Sequence, residues 1–173
     1  GAFQINVKSD VTVTNFGMPQ TTGTNTTINL NGGAAQVVNG TATAAGKLPS
    51  LTVANTAGGV DFNNFIAVTG NYTYTSGAIT VGGSTLYLTP AASVTITDTG
   101  VVDYENITIV PTVAAITINV AGTLVAKTGP LTLGGTVAAV MNGGTINAHL
   151  GITVTTTAAL TGTTSIAAVG VSN

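Results

Sequence analysis

The sequence predicts an all-β protein, an antiparallel β-sandwich of jelly-roll type with an extended strand at its N-terminus. Three observations predict it. From Phe3 to Val13 the odd positions read Phe, Ile, Val, Ser, Val, Val, and the even ones Gln, Asn, Lys, Asp, Thr. That is the period of two at which strand side chains change face. Further short apolar–polar alternations follow at intervals of about eight to twelve residues, each closed by Gly, Asn or Pro. No helical period of 3.6 lasts beyond one turn, and the abundant Thr, Val, Ile and Gly favour strands over long helices.

The opening run divides the chain. At ~3.3 Å per residue it would span about 36 Å, twice a usual strand. Phe16-Gly17-Met18-Pro19 then breaks the pattern, so residues 1–16 read as a tail and 17–173 as the sandwich body. In the body, strands are expected around Thr26–Leu30, Gln36–Val38, Leu51–Ala54, Val60–Thr69, Tyr72–Thr75, Ala78–Val81, Thr85–Thr89 and Val94–Asp98. Others follow at Asn106–Val110, Ala115–Val125, Leu131–Leu133, Thr136–Met141, Thr145–Asn147, Gly151–Thr155 and Thr164–Val171. Asn31-Gly32 and Asn39-Gly40 have the composition of tight hairpin turns, because both residue types tolerate positive φ. The rival architecture is a parallel β-helix. Ala78-Ile79-Thr80-Val81-Gly82-Gly83 and Leu131-Thr132-Leu133-Gly134-Gly135 are similar phrases, but their separation matches no sustained period.

Composition narrows the function. Of 173 residues only 5% are charged, with three lysines, no arginine and a net charge of −2. Nothing here forms an electrostatic footprint for nucleic acid. Mean hydropathy is positive, yet no run of about 18 apolar residues occurs, so no membrane-spanning helix is expected. No aromatic follows Tyr104, which argues against the aromatic girdles of a membrane barrel. Without cysteine there is no disulfide and no thiol nucleophile. The chain begins Gly1-Ala2, as a processed terminus would.

Catalysis has little to work with, and no enzyme is expected. His149 and Glu105 are the single histidine and glutamate, and no triad pattern surrounds the histidine. Asp98, Asp103 and Glu105 are close enough in sequence to offer oxygens to Ca²⁺, but their spacing is not that of an EF-hand, and solvated turn charges explain them equally. No metal or cofactor is assigned. Lys8, Lys47 and Lys127 supply the amines for a lysine–asparagine isopeptide bond, against the default of snorkelling surface lysines. Tyr72, Tyr74 and Tyr87 are the aromatic candidates for a carbohydrate-binding surface. Asn-x-Ser/Thr acceptor patterns occur at Asn25, Asn39, Asn71 and Asn106. In a chain so rich in threonine, composition alone supplies four. A surface nearly without charge favours their use as N-linked glycan sites, because it needs another source of hydration.

The opening run reads as a donor strand: Phe3, Ile5, Val7, Val11 and Val13 would fill a groove in a neighbouring subunit's sheet. Five such side chains give roughly 7–15 kcal/mol gross, before ordering costs. A head-to-tail contact of this kind does not close and makes a filament. A cysteine-free, lysine-poor, threonine-rich β-sandwich with an N-terminal strand and several acceptor sites resembles the subunits of archaeal surface filaments linked by donor strands. The thread type is nearest, and the archaeal bundling pili come second. The resemblance implies a pilin-like structural subunit of an extracellular, cell-surface filament of identical subunits, N-glycosylated, with a role in adhesion or biofilm. The alternative is a viral capsid or tail jelly roll.

Overall fold

The computed structural model describes residues 3–14, 26–43, 46–157 and 159–169. Every described residue in regular structure is in a strand, and the strands form a stack of parallel coils about seven turns long. The first coil holds β1 (Phe3–Val7) and β2 (Val11–Thr12). The next three each place one strand on each of three sides. They are β3 (Thr26–Leu30), β4 (Gln36–Asn39) and β5 (Lys47–Leu48); β6 (Ser50–Ala54), β7 (Val60–Asn63) and β8 (Phe65–Val68); and β9 (Tyr72–Ser76), β10 (Ile79–Thr80) and β11 (Thr85–Leu88).

Longer strands then round the first corner without a break. β12 (Val94–Tyr104) is followed by β13 (Asn106–Ile109), and β14 (Ile116–Ala126) by β15 (Leu131–Leu133). The seventh coil is β16 (Ala139–Asn142), β17 (Thr145–Ala148) and β18 (Ile152–Val154), and the stack ends on β19 (Leu160–Gly162) and β20 (Ser165–Ala168). Along the first side the order is β1-β3-β6-β9-β12-β14-β16-β19, each strand bonded to the one a coil away.

The antiparallel sandwich, of jelly-roll or pilin-like type, is therefore overturned. All pairs between described strands are parallel; an isolated bridge from Thr41 to Phe65 is antiparallel. The β-helix alternative has the right architecture. Alternation looks the same in either arrangement, since it reports only that one face is buried. The turn signals separate them, and here they make corners instead of hairpins. Asn31-Gly32-Gly33 carries the chain from the first side to the second. Gly100 and Gly122, at φ 78° and 99°, bend β12 and β14 round the same corner. At Gly122 a Cβ would lie 1.8 Å from the Asp98 carbonyl oxygen, so no other residue fits there.

Inside the coils, side chains stack in columns set by the register. Ile28 lies beside Leu51, Leu51 beside Tyr72, Tyr72 beside Ile96 and Ile96 beside Val120. On the third side Ile66, Leu86 and Ile107 continue one another, as do Val68, Leu88 and Ile109, all buried. Each coil buries its apolar side chains against the coils above and below, so the stack is held by neighbours and not by one central layer.

Two polar clusters sit within this interior. At the first corner, Asn55 is fully buried and fully bonded. Its amide donates to the Ala34 carbonyl at 2.7 Å and to Gln36 Oε1 at 2.9 Å, and its Oδ1 accepts from Ala57 and Gly58 N–H. Gln36 in turn donates to the Val7 and Ser9 carbonyls and accepts from Gly32 N–H, so one amide fastens three coils. In mid-stack, the Tyr104 hydroxyl donates to Asp98 Oδ2 at 2.7 Å. Tyr104 has no second proton, so the 2.6 Å contact with Tyr72 is donated by Tyr72. Burial pushes both phenols upward and holds the Asp98 carboxyl above its usual range, against the pull of bonds from Tyr104, Gly100 and Thr99.

Candidate assembly interface

The two ends of the described stack carry unpaired strand edges. At the N-terminal end β1 pairs in parallel with β3 of its own chain, Phe3 opposite Thr26 through Val7 opposite Leu30. The extended donor strand is thus corrected: the eleven-residue run is two strands of the first coil. Lys8, Ser9 and Asp10 form the corner between them. Gln36 captures the Ser9 carbonyl, Asp10 Oδ1 accepts from Val37 N–H, and Lys8 donates to the Asn31 carbonyl. Val7, Val11 and Val13 pack, partly buried, on their own core, whereas Phe3 and Ile5 are 70% and 48% exposed. The break read as a hinge, Phe16 to Pro19, lies outside the described residues. The outer edge of β1 bonds to no described strand. Beside it, Val11, Val13, Ile28 and Leu48 line a hollow of about 210 Å³.

The C-terminal end mirrors this. Among the described strands, β18, β19 and β20 are each bonded on one edge only. Leu150, Ile152 and Val154 are exposed there, and Met141, Leu160, Gly162 and Ile166 line a hollow of about 190 Å³. No lysine, arginine, aspartate or glutamate follows Lys127. The charges with which proteins usually blunt an open sheet edge are missing from this end. Sequence reading did not find it. The signal was the loss of all charge after residue 127, which acquires a place only once the strands after it are seen to be the last described coils.

The remaining candidates scatter. Asp98 points into the core, Asp103 pairs outward with Lys127, and Glu105 accepts from Gly83 N–H. Three carboxylates near in sequence therefore face three environments, and no group of three acidic or histidine side chains is placed to hold a metal ion among the described residues. His149 follows β17 at a half-buried corner, its N–H donating to the Ala126 carbonyl. Tyr72 and Tyr74 are buried; Tyr87, half-buried, meets Phe65 edge-on at 6.2 Å. The three tyrosines make no common surface. Of the glycan acceptors, Asn71 is exposed, its Oδ1 accepting from Thr95 N–H at 2.8 Å. Asn39 and Asn106 are half-buried, on the Asn63 amide and the Ser84 carbonyl respectively, and Asn25 lies outside the described residues. No helix is long and apolar enough to cross a membrane among the described residues.

No protein-family model matches this chain, and no curated protein or solved structure matches it either.

Proposed function

We propose that this protein is a structural subunit of an extracellular, cell-surface filament, in which identical copies join head to tail. The observation that carries the reading is that the first and last strands of the eight-strand first side, β1 and β19, are each bonded on one edge only among the described strands. Every coil inside the stack already pairs in parallel with the next, so the first coil of one copy continues the last coil of another by the same bonds. Main-chain edge pairing supplies affinity, and the exposed Phe3, Ile5, Ile152 and Val154 supply apolar area. The contact joins two different surfaces and advances along the stack axis, so it propagates instead of closing. N-linked glycans at Asn71, with Asn39 and Asn106, would hydrate a shaft that has almost no charge, and a role in adhesion or biofilm fits such a shaft.

Electron microscopy of purified protein over a range of concentrations tests this. Eight first-side strands at ~4.8 Å each give an axial repeat of roughly 38 Å per subunit, with a strong ~4.8 Å spacing along the fibre. A monomer at every concentration, or a closed dimer, overturns the reading.

A further inference from the structure

The register fixes how two ends would meet. Phe3 stands two residues before Ile5, whose column runs through Ile28, Leu51, Tyr72 and Ile96. Two residues before Ile96 is Val94, which lies beside Ile118; Ile118 lies beside Met141 and Met141 beside Gly162. Phe3 and Gly162 therefore begin and end the same interior column. At its lower end the column has a large aromatic side chain, 70% exposed, with no described residue over it. At its upper end the side chain is missing. Gly162 has φ 130°, and a Cβ there would meet the Met141 carbonyl oxygen at 1.8 Å, so the backbone of the coil below bars a side chain at this position. The hollow left above Met141, between Leu160 and Ile166, measures about 190 Å³. Thr161 and Thr164 also line it, and its volume exceeds the ~150 Å³ that holds a benzene ring, so a benzyl group has room here.

We infer that Phe3 of one copy seats in the hollow over Gly162 of the next, which sets β1 on β19 in the register the stack uses internally. The inference rests on the head-to-tail reading above and adds its joint. A single knob and a single hole give the fibre its polarity and favour one register, because a two-residue shift sets Phe3 over the Leu160 or Thr164 side chain at the wall of the hollow instead of over Gly162.

The test uses the absence of native cysteine. In this register Gln4 lies opposite Thr163, both exposed. Laterally paired residues are ~4.8 Å apart, within disulfide reach, while a partner two residues along is beyond about 7 Å. Mixing full-length Gln4→Cys and Thr163→Cys chains under mild oxidation should give the mixed covalent dimer. Mixing Gln4→Cys with Thr161→Cys should not. Phe3→Ala should raise the critical concentration for fibres by roughly 10-fold or more, while Phe3→Leu restores most of it and the circular dichroism of the monomer stays unchanged. Fibres that cross-link in the Thr161→Cys mixture, or in neither mixture, or that form from Phe3→Ala at the parental concentration, overturn the joint and leave the filament standing. Failure of the parent chain to form fibres overturns both.

Discussion

Coils at the two ends of the stack share one parallel ladder and differ in what fastens their corners. Near the N-terminus, the side-chain amides of Gln36 and Asn55 bond to each other and to backbone groups across three coils, and Lys8 and Asp10 tie the outer corner. Past Lys127 the chain has no charged side chain. There Thr163 Oγ1 accepts from Gly143 N–H at 3.1 Å; buried oxygens without a partner among the described residues occur at both ends, Asn29 and Asn31 Oδ1 at one and Thr164 Oγ1 at the other. The ladder alone makes coils; the bonded amides of Gln36 and Asn55 add cross-coil fastening at one end that the strands after Lys127 lack among the described residues.

The largest expected effect comes from breaking the fastened end. Asn55→Ala takes a buried donor from Gln36 Oε1 and frees the Ala34 carbonyl and the Ala57 and Gly58 N–H, groups of three exposed residues. A buried polar group that loses a partner costs about 1–3 kcal/mol, while the exposed groups turn to water, so a loss of roughly 1–3 kcal/mol is expected. Ile166→Ala at the half-buried far end should cost about 1 kcal/mol. Urea unfolding of the two variants measures the contrast, and equal losses would show that the corner amides do not distinguish the ends.

Hydrogen exchange sharpens the same contrast without mutation. Amides of β16 to β20 should exchange roughly 10- to 100-fold faster than those of β3 to β9, through sub-global opening from the C-terminal end. Fibre formation should remove most of that difference by covering the open coil. Uniform protection along the monomer would place the weak point elsewhere.

How much of this was legible in the sequence follows from what alternation encodes. Tyr72, Ile96, Ile107, Ile118 and Ile146 are buried where an alternating pattern puts them, and strands fall close to where they were expected. The direction of pairing was not legible. A coil period would have revealed it, but Val60 pairs with Ile79, nineteen residues on, and Val11 with Val38, twenty-seven on. Corners absorb the variation, so the repeat exists in space and not in the sequence. The Asn-Gly steps misled for a related reason: positive φ serves a corner as well as a hairpin. The opening run misled because Ser9 and Asp10 keep the alternation going through a corner that only Gln36, twenty-seven residues beyond Ser9, makes visible.

Between the two ends lies the Tyr72–Tyr104–Asp98 chain, and it gives the middle coils a pH signature. Burial raises the Asp98 carboxyl above the ordinary value of 3.8. The native state then binds this proton more tightly than the unfolded chain. The stabilisation is complete below the unfolded value and is lost as pH rises through the raised native one. Unfolding free energy should therefore climb as pH falls from neutrality into that window, and Asp98→Asn should flatten the climb. Chemical denaturation at a series of pH values reads the slope. A fall in stability on acidification, in the parent chain alone, would show that Asp98 is held as a needed carboxylate.

The smallest effect is expected from the one ion pair among the described residues, Lys127 with Asp103. It bridges β12 and the residue after β14, so it looks like a clasp between the fifth and sixth coils. Both side chains are about half exposed, at 50% and 46%. In water such a pair gains little, because screening and the entropy of two ordered side chains offset the attraction. The coils it spans are already joined by the long β12–β14 ladder, from Val94 beside Ile118 to Tyr104 beside Ala126. Lys127→Ala should cost less than about 1 kcal/mol, and added salt should remove most of that. A double-mutant cycle with Asp103→Ala isolates the pair. A coupling of several kcal/mol that survives salt would mean the corner of the middle coils is fastened from outside, as Gln36 and Asn55 fasten the first corner from within.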